Sequence, residues 1–504
     1  MPARTRASSS TRCCDAAYEL LSRHRRQAYH SRIAEALRGP LNHLALGRND
    51  LIALHLTNAG EHDDAVAFWA AAGHDALLRT ANLEAAGHFR RAIECLRELP
   101  ATPERDVREL EIQRVLAPAL FAVAGWASDE TEQTCRRAYA LAVELHRDDY
   151  RYAALWGLWS VQFLRGQLDE ALPSAQAVKE LADESGAPLY RVTAQHAISY
   201  TRLYRGEFEA ALQEADIGIS LFDFHQEQEL VAAFQLSSSV CLRQSRAQAL
   251  WMIGRTEESD EESARMVQLA RDLGQRSSLA GALAFALHGG GMRYSFAGEI
   301  FRLRDIAEEL RQVSNEEGLF MWFAVAEVYL GIIGQGSEEP GARQRILEGL
   351  ELFAQTKTQV TAVMMKVIVA EQLLEISDDD EVTSLLDSAE SDADARHERF
   401  YLPELWRVRG RVSARRGDVP AAERAYRMAF DIATEQKAHS LALRAALDMY
   451  ELLAAAGRGD EGRNLLSNTI SNEDVAWASD RPEPMRARAV LAQPLIETGA
   501  SHAG

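Results

Sequence analysis

The stretch Leu405–Gln436 reads LWRVRGRVSARRGDVPAAERAYRMAFDIATEQ, and it decides the fold. Gly410 offers a small surface on the first half of this stretch, where a second helix can approach the backbone closely. Gly417 stands where a helix end needs a positive φ, which a residue without Cβ adopts easily. Asp418 can cap the next helix, and Pro420 suits the first turn of that helix. The stretch therefore predicts two antiparallel helices joined by a tight turn.

The second of these helices repeats small and large residues on one face. Ala422, Tyr426 and Ala429 recur at steps of about 3–4, the spacing of one helical face. A single hairpin of this kind cannot bury its own apolar face, so it needs neighbouring copies. The pattern resembles a tetratricopeptide (TPR) unit, whose order of Trp, Gly, Gly, Ala, aromatic and Ala is matched by Trp406, Gly410, Gly417, Ala422, Tyr426 and Ala429.

Copies of the hairpin signature recur along the chain. In each copy a glycine is followed five positions later by a small residue: Gly60 and Ala65, Gly166 and Ala171, Gly206 and Ala211, Gly254 and Ser259, Gly417 and Ala422, and Gly457 and Gly462. The step between copies is roughly 40 residues, longer than the ~34 of a standard TPR but typical of helical solenoids. No stretch alternates as a β-strand does. The predicted fold is an all-α, right-handed superhelical solenoid of TPR-like hairpins, with roughly 20–25 helices.

Composition narrows the classes of function. The 504 residues include 55 Lys and Arg against 75 Asp and Glu, a formal net charge of −20. Such an acidic chain repels nucleic acid phosphates unless its basic residues cluster. The five cysteines form no CxxC pair, which argues against a disulfide framework or a structural zinc site and fits a reducing cytoplasm: Cys13, Cys14, Cys95, Cys135 and Cys241.

Membrane and export segments are not expected. The longest apolar run, Phe320–Gly334, contains Glu327 and is shorter than the ~18–20 residues of a membrane span. The first residues carry arginines without an apolar stretch behind them, so a secretion signal is not expected. These features together predict a cytoplasmic location.

In chain order, the sequence predicts four regions. Residues 1–14 form a disordered N-terminus, residues 15–48 a helical junction, residues 49–470 the repeat array, and residues 471–504 a tail with one short helix over Met485–Ile496. Within the array, Pro118 is expected to end one helix, and the glycines that follow His288 are expected to break another.

Sequences that carry known chemistry are absent or isolated. The chain has neither GxxxxGK[ST] nor a GxGxxG behind a strand. His288 and the three glycines after it look like an esterase oxyanion loop, but no GxSxG accompanies them, so a helix end is the interpretation. The run Asp378–Glu381 lacks the alternation and central glycine of a calcium loop and is interpreted as a solvated turn. We therefore assign no catalytic, cofactor-binding or metal-binding residue.

A binding groove is the remaining kind of site. In a TPR-like superhelix the first helix of each hairpin lines the concave surface. Aligning the repeats on their glycines places nine residues there: Trp156, Ser160, Phe163, His196, Tyr200, Tyr204, Arg407, Arg411 and Arg415. Exposed aromatic and arginine side chains anchor partners. Alanine at Tyr200 or Arg411 would then weaken partner capture and change stability by no more than about 0.5 kcal/mol. The alternative is that the aromatics pack between repeats and the arginines pair with acidic neighbours.

The succession of blocks along the chain resembles one bacterial architecture. The blocks include DAAYELLSRHRRQAYHSRIAEAL from Asp15, LAPALFAVAGWASDETEQTCRRAYALA from Leu116, and RFYLPELWRVRGRV from Arg399. From Asp15 to about Ile470 the chain is similar to the C-terminal repeat region of class III adenylate/guanylate cyclase–ATPase signalling proteins, whose ATPase is of STAND/LuxR type. In that family a cyclase domain and a P-loop ATPase precede the repeats, and this sequence contains neither. The resemblance implies a regulatory array that senses a ligand or partner.

The function predicted from these observations is a non-enzymatic interaction module in bacterial signal transduction, which binds a partner protein or peptide in its concave groove, with no cofactor, nucleic acid or membrane partner. The alternative is a C-terminal regulatory fragment whose cyclase or ATPase lies upstream, and the DNA preceding Met1 would discriminate between them. A DNA-binding regulator would need a basic recognition helix, which the sequence does not offer.

Overall fold

A computed structural model of the protein describes residues 18, 20–79, 81–123, 125, 127–225, 227–228, 237–295, 299–374, 379–472, 475, 477 and 481–493. Within these residues the chain forms 23 α-helices, two short 3-10 segments (residues 42–44 and 300–303) and no strand. The predicted all-α solenoid of TPR-like hairpins is therefore confirmed. The chain divides into two compact units, residues 1–158 and 159–504.

Among its described residues, the first unit contains six complete helices and the start of a seventh. They are α1 (Arg23–Arg38), α2 (Asn49–Ala59), α3 (His62–Leu78), α4 (Asn82–Arg97), α5 (Pro103–Val123), α6 (Asp129–Glu144) and α7 (Asp148–Leu164). The apolar faces of α1–α5 form one core, in which Leu56, Trp69 and Phe89 are at most 1% exposed, and α5, α6 and α7 share a separate cluster around Leu110 and Leu141. Each of these large side chains belongs to a different helix, so the core joins successive hairpins.

In the second unit, the part of the chain that the structure describes takes in the end of α7 and sixteen further helices. They are α8 (Leu168–Ser185), α9 (Pro188–Tyr204), α10 (Phe208–Ser220), α11 (Ser238–Met252), α12 (Thr256–Asp272), α13 (Arg276–Ser295), α14 (Arg304–Glu317), α15 (Phe320–Gly336), α16 (Ala342–Gln355), α17 (Ala362–Leu373), α18 (Asp379–Arg396), α19 (Leu402–Arg415), α20 (Val419–Glu435), α21 (His439–Ala455), α22 (Gly459–Ile470) and α23 (Pro482–Ala492). Most of these helices pair as hairpins, from α7–α8 to α21–α22. In each hairpin the odd-numbered helix is the first helix and the next one is the second.

The hairpin of α19 and α20 has the local structure that its sequence predicts. Gly417 has a φ of 77°, and the Asp418 carboxylate accepts a hydrogen bond of 3.0 Å from the nitrogen of Ala421. A Cβ built on Gly410 would overlap the ring of Tyr426. The turn, the cap and the close helix contact are all confirmed, because each depends on residues within a few positions of one another.

The repeated signature has the same meaning in every copy. Each of its six first-position glycines has a φ between 70° and 90°: Gly60, Gly166, Gly206, Gly254, Gly417 and Gly457. The partners Ala65, Ala171, Ala211, Ser259 and Ala422 are each 0% exposed, and Gly462 packs against Tyr450. A small residue at this position lets the second helix lie against the first, so the spacing identifies hairpins rather than turns in general.

Pro118 does not end a helix, and that prediction is wrong. It lies inside α5, which continues to Val123. Proline removes one helical hydrogen bond, but its ring is exposed here while Leu116 and Leu120 on the other side are 2% and 0% exposed. Burial of the apolar face holds the helix together across the missing bond.

The glycines after His288 do not break a helix either. Helix α13 runs through them to Ser295, and His288 is 2% exposed. A Cβ on Gly290 would overlap Leu303, and one on Gly291 would lie 2.7 Å from the Tyr329 hydroxyl oxygen. The glycines are thus contact positions, where neighbouring side chains approach the backbone of α13.

The predicted boundaries at the chain ends stay predictions. Residues 1–17 and 494–504 lie outside the described residues, as do Trp126 and Asp378. The short helix expected in the tail begins at Pro482, three residues before Met485, with proline in its first turn.

Candidate partner-binding site

First helices from two parts of the second unit meet end to end. The carbonyl oxygen of Leu164, at the end of α7, accepts a hydrogen bond of 2.7 Å from the nitrogen of Gln359. The carbonyl of Tyr204, at the end of α9, accepts one of 3.1 Å from Phe400, and that of Trp251, in α11, accepts one of 2.5 Å from the Ser440 hydroxyl. The ends of α7, α9 and α11 therefore contact the starts of α17, α19 and α21, and the surface expected to line a groove is internal there.

The aromatic residues predicted for the groove lie in this interior. Phe163, Tyr200 and Tyr204 are 4%, 6% and 3% exposed. The ring of Phe163 lies 5.5 Å from that of Tyr200 and 5.4 Å from that of Tyr204. Tyr200 also contacts Phe285, on α13, at 6.4 Å. The rings pack on one another as a core does.

Three further predicted residues on α7 and α9 are also buried. Trp156, Ser160 and His196 are 5%, 4% and 6% exposed. Burial lowers the pKa of His196 to about 3, so its ring is neutral at physiological pH. A partner could contact these side chains only if the helices around them separated, and their role in partner binding stays a prediction.

Arg407 lies at the centre of a buried ionic network. It is 1% exposed, and it donates to Glu404 Oε1 at 2.9 Å, to Asp448 Oδ2 at 2.9 Å and to Glu371. Burial lowers the pKa of its guanidinium, but the three carboxylates outweigh burial and raise the pKa well above its ordinary value. Arg444, 0% exposed, extends the network to Glu483 at 2.9 Å. Arg407 thus joins α17, α19 and α21 from within.

The acidic members of this network were not predicted from the sequence. Glu371 interrupts the apolar run MMKVIVAEQLLE, and Asp448 lies between apolar residues of α21. A carboxylate on an apolar helix face is a signal for a buried ion pair. Its partner on another helix does not follow from that signal, because the pairing depends on how distant repeats pack.

Arg411 and Arg415 are the predicted groove residues with accessible side chains. Their side chains are 33% and 45% exposed, and they lie one turn apart on α19. Arg411 lies 3.2 Å from Glu371, and Arg415 lies 3.2 Å from Asp379. The two guanidiniums form a basic ridge on α19.

A cleft of about 370 Å³ opens beside Arg411, between α19, α20 and α21. We call it the Arg411 cleft; its walls are Arg411, Ala414, Val419, Tyr426, Asp448, Glu451, Leu452, Ala455 and Ala456. The apolar walls come from α19, α20 and α21, while Arg411, Asp448 and Glu451 provide charges. A cleft of this size and character suits a side chain or two of a bound peptide.

Among the described residues, no group of three or more His, Cys, Asp or Glu side chains is arranged to hold a metal ion. None of their helices is long and apolar enough to cross a membrane.

The chain is similar to proteins of known sequence or structure, although no family model matches it. A protein of Rhizobium meliloti (strain 1021), itself uncharacterized, is 24% identical over 455 residues, which are 88% of this chain and 43% of that protein. The chain thus spans less than half the length of that relative.

Among solved structures, a Rap protein complexed with competence and sporulation factor superposes with a TM-score of 0.51 at 13% identity, covering 74% of this chain and 99% of the Rap chain. The apo quorum sensor NprR from B. thuringiensis gives a TM-score of 0.39 at 11% identity, over 81% of this chain and 98% of NprR. The Rap superposition supports the fold: this chain is a helical solenoid of TPR-like hairpins.

Proposed function

We propose that the chain is a non-catalytic interaction module, which binds a partner protein or peptide at the Arg411 cleft. The observation that carries the proposal is the cleft itself, where an accessible guanidinium borders apolar walls on a TPR-like hairpin. The Rap protein with which the chain shares its fold was solved with a factor bound, which supports a peptide or protein ligand. Bacterial signal transduction is the setting we propose for such a module.

The chemistry of the cleft specifies the partner. Arg411 in the cleft wall, with Arg415 one turn further along α19, would pair with an acidic side chain of the partner, since a guanidinium binds a carboxylate through two parallel hydrogen bonds. The two carboxylates of the wall, Asp448 and Glu451, are already paired with Arg407 and Arg486. A small apolar side chain next to that acid would contact Ala455 and Leu452. The expected partner segment therefore contains an acidic residue beside a small apolar one.

Affinity capture from native cytosol tests this proposal. Proteins captured by the tagged chain are compared with those captured by Arg411→Ala and by Arg427→Ala, whose arginine is 58% exposed and pairs with Glu423 at 3.2 Å. We expect Arg411→Ala to retain about one fifth or less of the specific partner, the loss typical of an interface anchor. Equal capture by both variants would contradict the Arg411 cleft as the site.

A second proposal concerns the context of the module. We infer that it acts as the regulatory part of a larger protein, such as a cyclase or a P-loop ATPase coupled to transcription. The resemblance of its blocks to that family and the greater length of the Rhizobium relative favour this. An open frame in phase upstream of Met1 that encodes a P-loop would support it, whereas a promoter there would favour the separate module.

A further inference from the structure

A second cavity lies where the C-terminal segment of the second unit meets α11, α13 and α21. Its volume is about 300 Å³, and we call it the Trp477 pocket. Aromatic rings form part of its wall: Trp251, Tyr294 and Trp477. Its cationic side chains are Arg293, Arg302 and Arg481. This pocket is separate from the Arg411 cleft and shares no lining residue with it.

The wall of the Trp477 pocket holds three guanidiniums against two carboxylates, an excess of one positive charge. Arg293 Nε lies 3.0 Å from Asp260 Oδ1, and Arg481 pairs with the other oxygen of the same carboxylate. One carboxylate thus serves two guanidiniums. Burial lowers the pKa of Arg293, the charge of Asp260 opposes this in part, and the charge of Arg481 lowers it further, so the site disfavours the Arg293 cation and would gain from an anion.

The carboxylates in the wall do not cancel this excess. Glu483 is held by Arg444, whose Nε and Nη2 lie 3.0 and 2.9 Å from it. Glu299 pairs with Arg302 through Nε at 3.0 Å. Arg302 is 55% exposed, so its side chain is accessible to a ligand at the mouth of the pocket.

The aromatic rings of the wall determine which kind of group attached to the anion can fit. The guanidiniums of Arg293 and Arg302 lie 6.0 and 5.9 Å from the centre of the Tyr294 ring. Trp251 is 3% exposed and forms a rigid wall with Leu443, which is 0% exposed. The volume is at the lower limit for small-molecule sites, about 300–1,000 Å³, and holds a two-ring system with one charged group.

We propose that the Trp477 pocket binds a carboxylate attached to a flat apolar group. The carboxylate pairs with Arg302 and Arg481 at the mouth, and the flat group lies between the aromatic walls. Two sources carry this chemistry: a free aromatic acid and the C-terminal residue of a peptide. The Trp477 pocket shares no lining residue with the Arg411 cleft, so binding at one site does not depend on binding at the other.

Calorimetric titration of the full chain tests the proposal with matched probes. The first pair is 2-naphthoate and 2-naphthamide, which share their ring system and differ in charge. The second pair is the peptide Gly-Gly-Gly-Trp with a free or an amidated C-terminus. We expect each carboxylate probe to bind about tenfold more tightly than its amide. Tighter binding of the free peptide than of 2-naphthoate identifies a peptide terminus as the source, and the reverse order identifies a free acid.

Variants locate the binding. Arg302→Gln should weaken 2-naphthoate binding by about tenfold. Arg265→Gln is the matched control, since Arg265 is 60% exposed and pairs with Glu261 at 3.1 Å on α12. Glu299→Gln should tighten binding several-fold, because it frees Arg302. A misfolded variant would bind more weakly, so tighter binding cannot result from misfolding. Absence of binding by both carboxylates, equal binding of acid and amide, or equal losses in Arg302→Gln and Arg265→Gln would overturn the proposal.

Discussion

The ring of Phe400 lies 4.9 Å from the ring of Tyr204, and the nitrogen of Phe400 donates a 3.1 Å hydrogen bond to the carbonyl of Tyr204. Phe400 precedes α19, and Tyr204 ends α9. The contact therefore joins two hairpins that lie far apart in the chain. Repeats of a solenoid contact mainly their neighbours, so this joint adds stability that neighbour contacts do not supply.

Tyr204→Ala should destabilise the second unit by about 3–5 kcal/mol, because it removes a large ring that is 3% exposed. Urea unfolding followed by circular dichroism measures the change. Met428→Ala, at a side chain that is 46% exposed, is the control and should change stability by less than about 0.5 kcal/mol. Similar midpoints for the two variants would show that Tyr204 is not part of a stabilising joint. Tyr200, 6% exposed, should behave like Tyr204, contrary to the small effect expected of a groove position.

The local parts of the fold follow from the sequence, whereas the contact between Tyr204 and Phe400 does not. Gly417, Asp418 and Ala422 determine a turn, a cap and a contact within a few residues, so their spacing is sufficient. The contact of Tyr204 with Phe400 depends on how many repeats separate them and on the rotation between repeats, neither of which appears in a helical period. The same limit explains why the sequence placed Arg407 and Arg411 together in the groove. In the structure Arg407 is buried, and of these two only Arg411 borders an open cleft.

Gly410→Ala should destabilise the hairpin of α19 and α20 by about 1–3 kcal/mol, because the new Cβ overlaps the ring of Tyr426. Gly87→Ala on α4 is the opposite case, since no atom lies within 4 Å of a Cβ there. Alanine has the higher helix propensity, so Gly87→Ala should stabilise by about 0.5–1 kcal/mol. Thermal unfolding of both variants measures whether each change in stability is a loss or a gain. Higher stability in both would mean that the Tyr426 ring moves aside without cost.

Arg407→Leu should destabilise the second unit by about 3–5 kcal/mol, because it leaves buried carboxylates without their cation. Glu404 and Glu371 are 1% and 4% exposed and cannot regain water without opening the helices. Arg427→Leu removes an exposed pair and should cost no more than about 1 kcal/mol. Chemical denaturation at neutral pH compares the variants. Equal losses of stability in Arg407→Leu and Arg427→Leu would show that water reaches the buried network.

Glu398 makes the stability of the second unit depend on pH. It is 2% exposed, and neither carboxyl oxygen has a hydrogen-bond partner among the described residues. Burial raises its pKa from 4.5 to about 8, with the charge of Asp392 adding to the effect. The folded chain therefore keeps a proton that the unfolded chain releases, and this stability, complete below pH 4.5, is lost as pH rises to about 8.

Glu398→Gln should remove this dependence. The stability difference between variant and wild type should grow with pH by up to about 1.4 kcal/mol per unit in that window. Melting temperatures at several pH values measure it. Glu435→Gln is the control, because the hydrogen bond from Arg399 lowers the pKa of Glu435, and its effect on stability changes only at more acidic pH. Parallel pH profiles for wild type and Glu398→Gln would mean that Glu398 is ionised in the folded chain.

In the first unit, His30 and His55 should give the opposite pH dependence. Their Nδ1 atoms lie 2.8 Å apart, so one ring donates and the other accepts. Burial lowers the pKa of both below 6.5, and the charge of His30 also lowers that of His55. The unfolded chain then binds protons that the folded pair does not bind, and stability is lost as pH falls below 6.5.

Hydrogen exchange of α1 and α2 should accelerate between pH 7 and pH 5, after correction for the intrinsic rate. His30→Gln should reduce that acceleration because an amide does not titrate. An unchanged acceleration in His30→Gln would show that other groups loosen these helices.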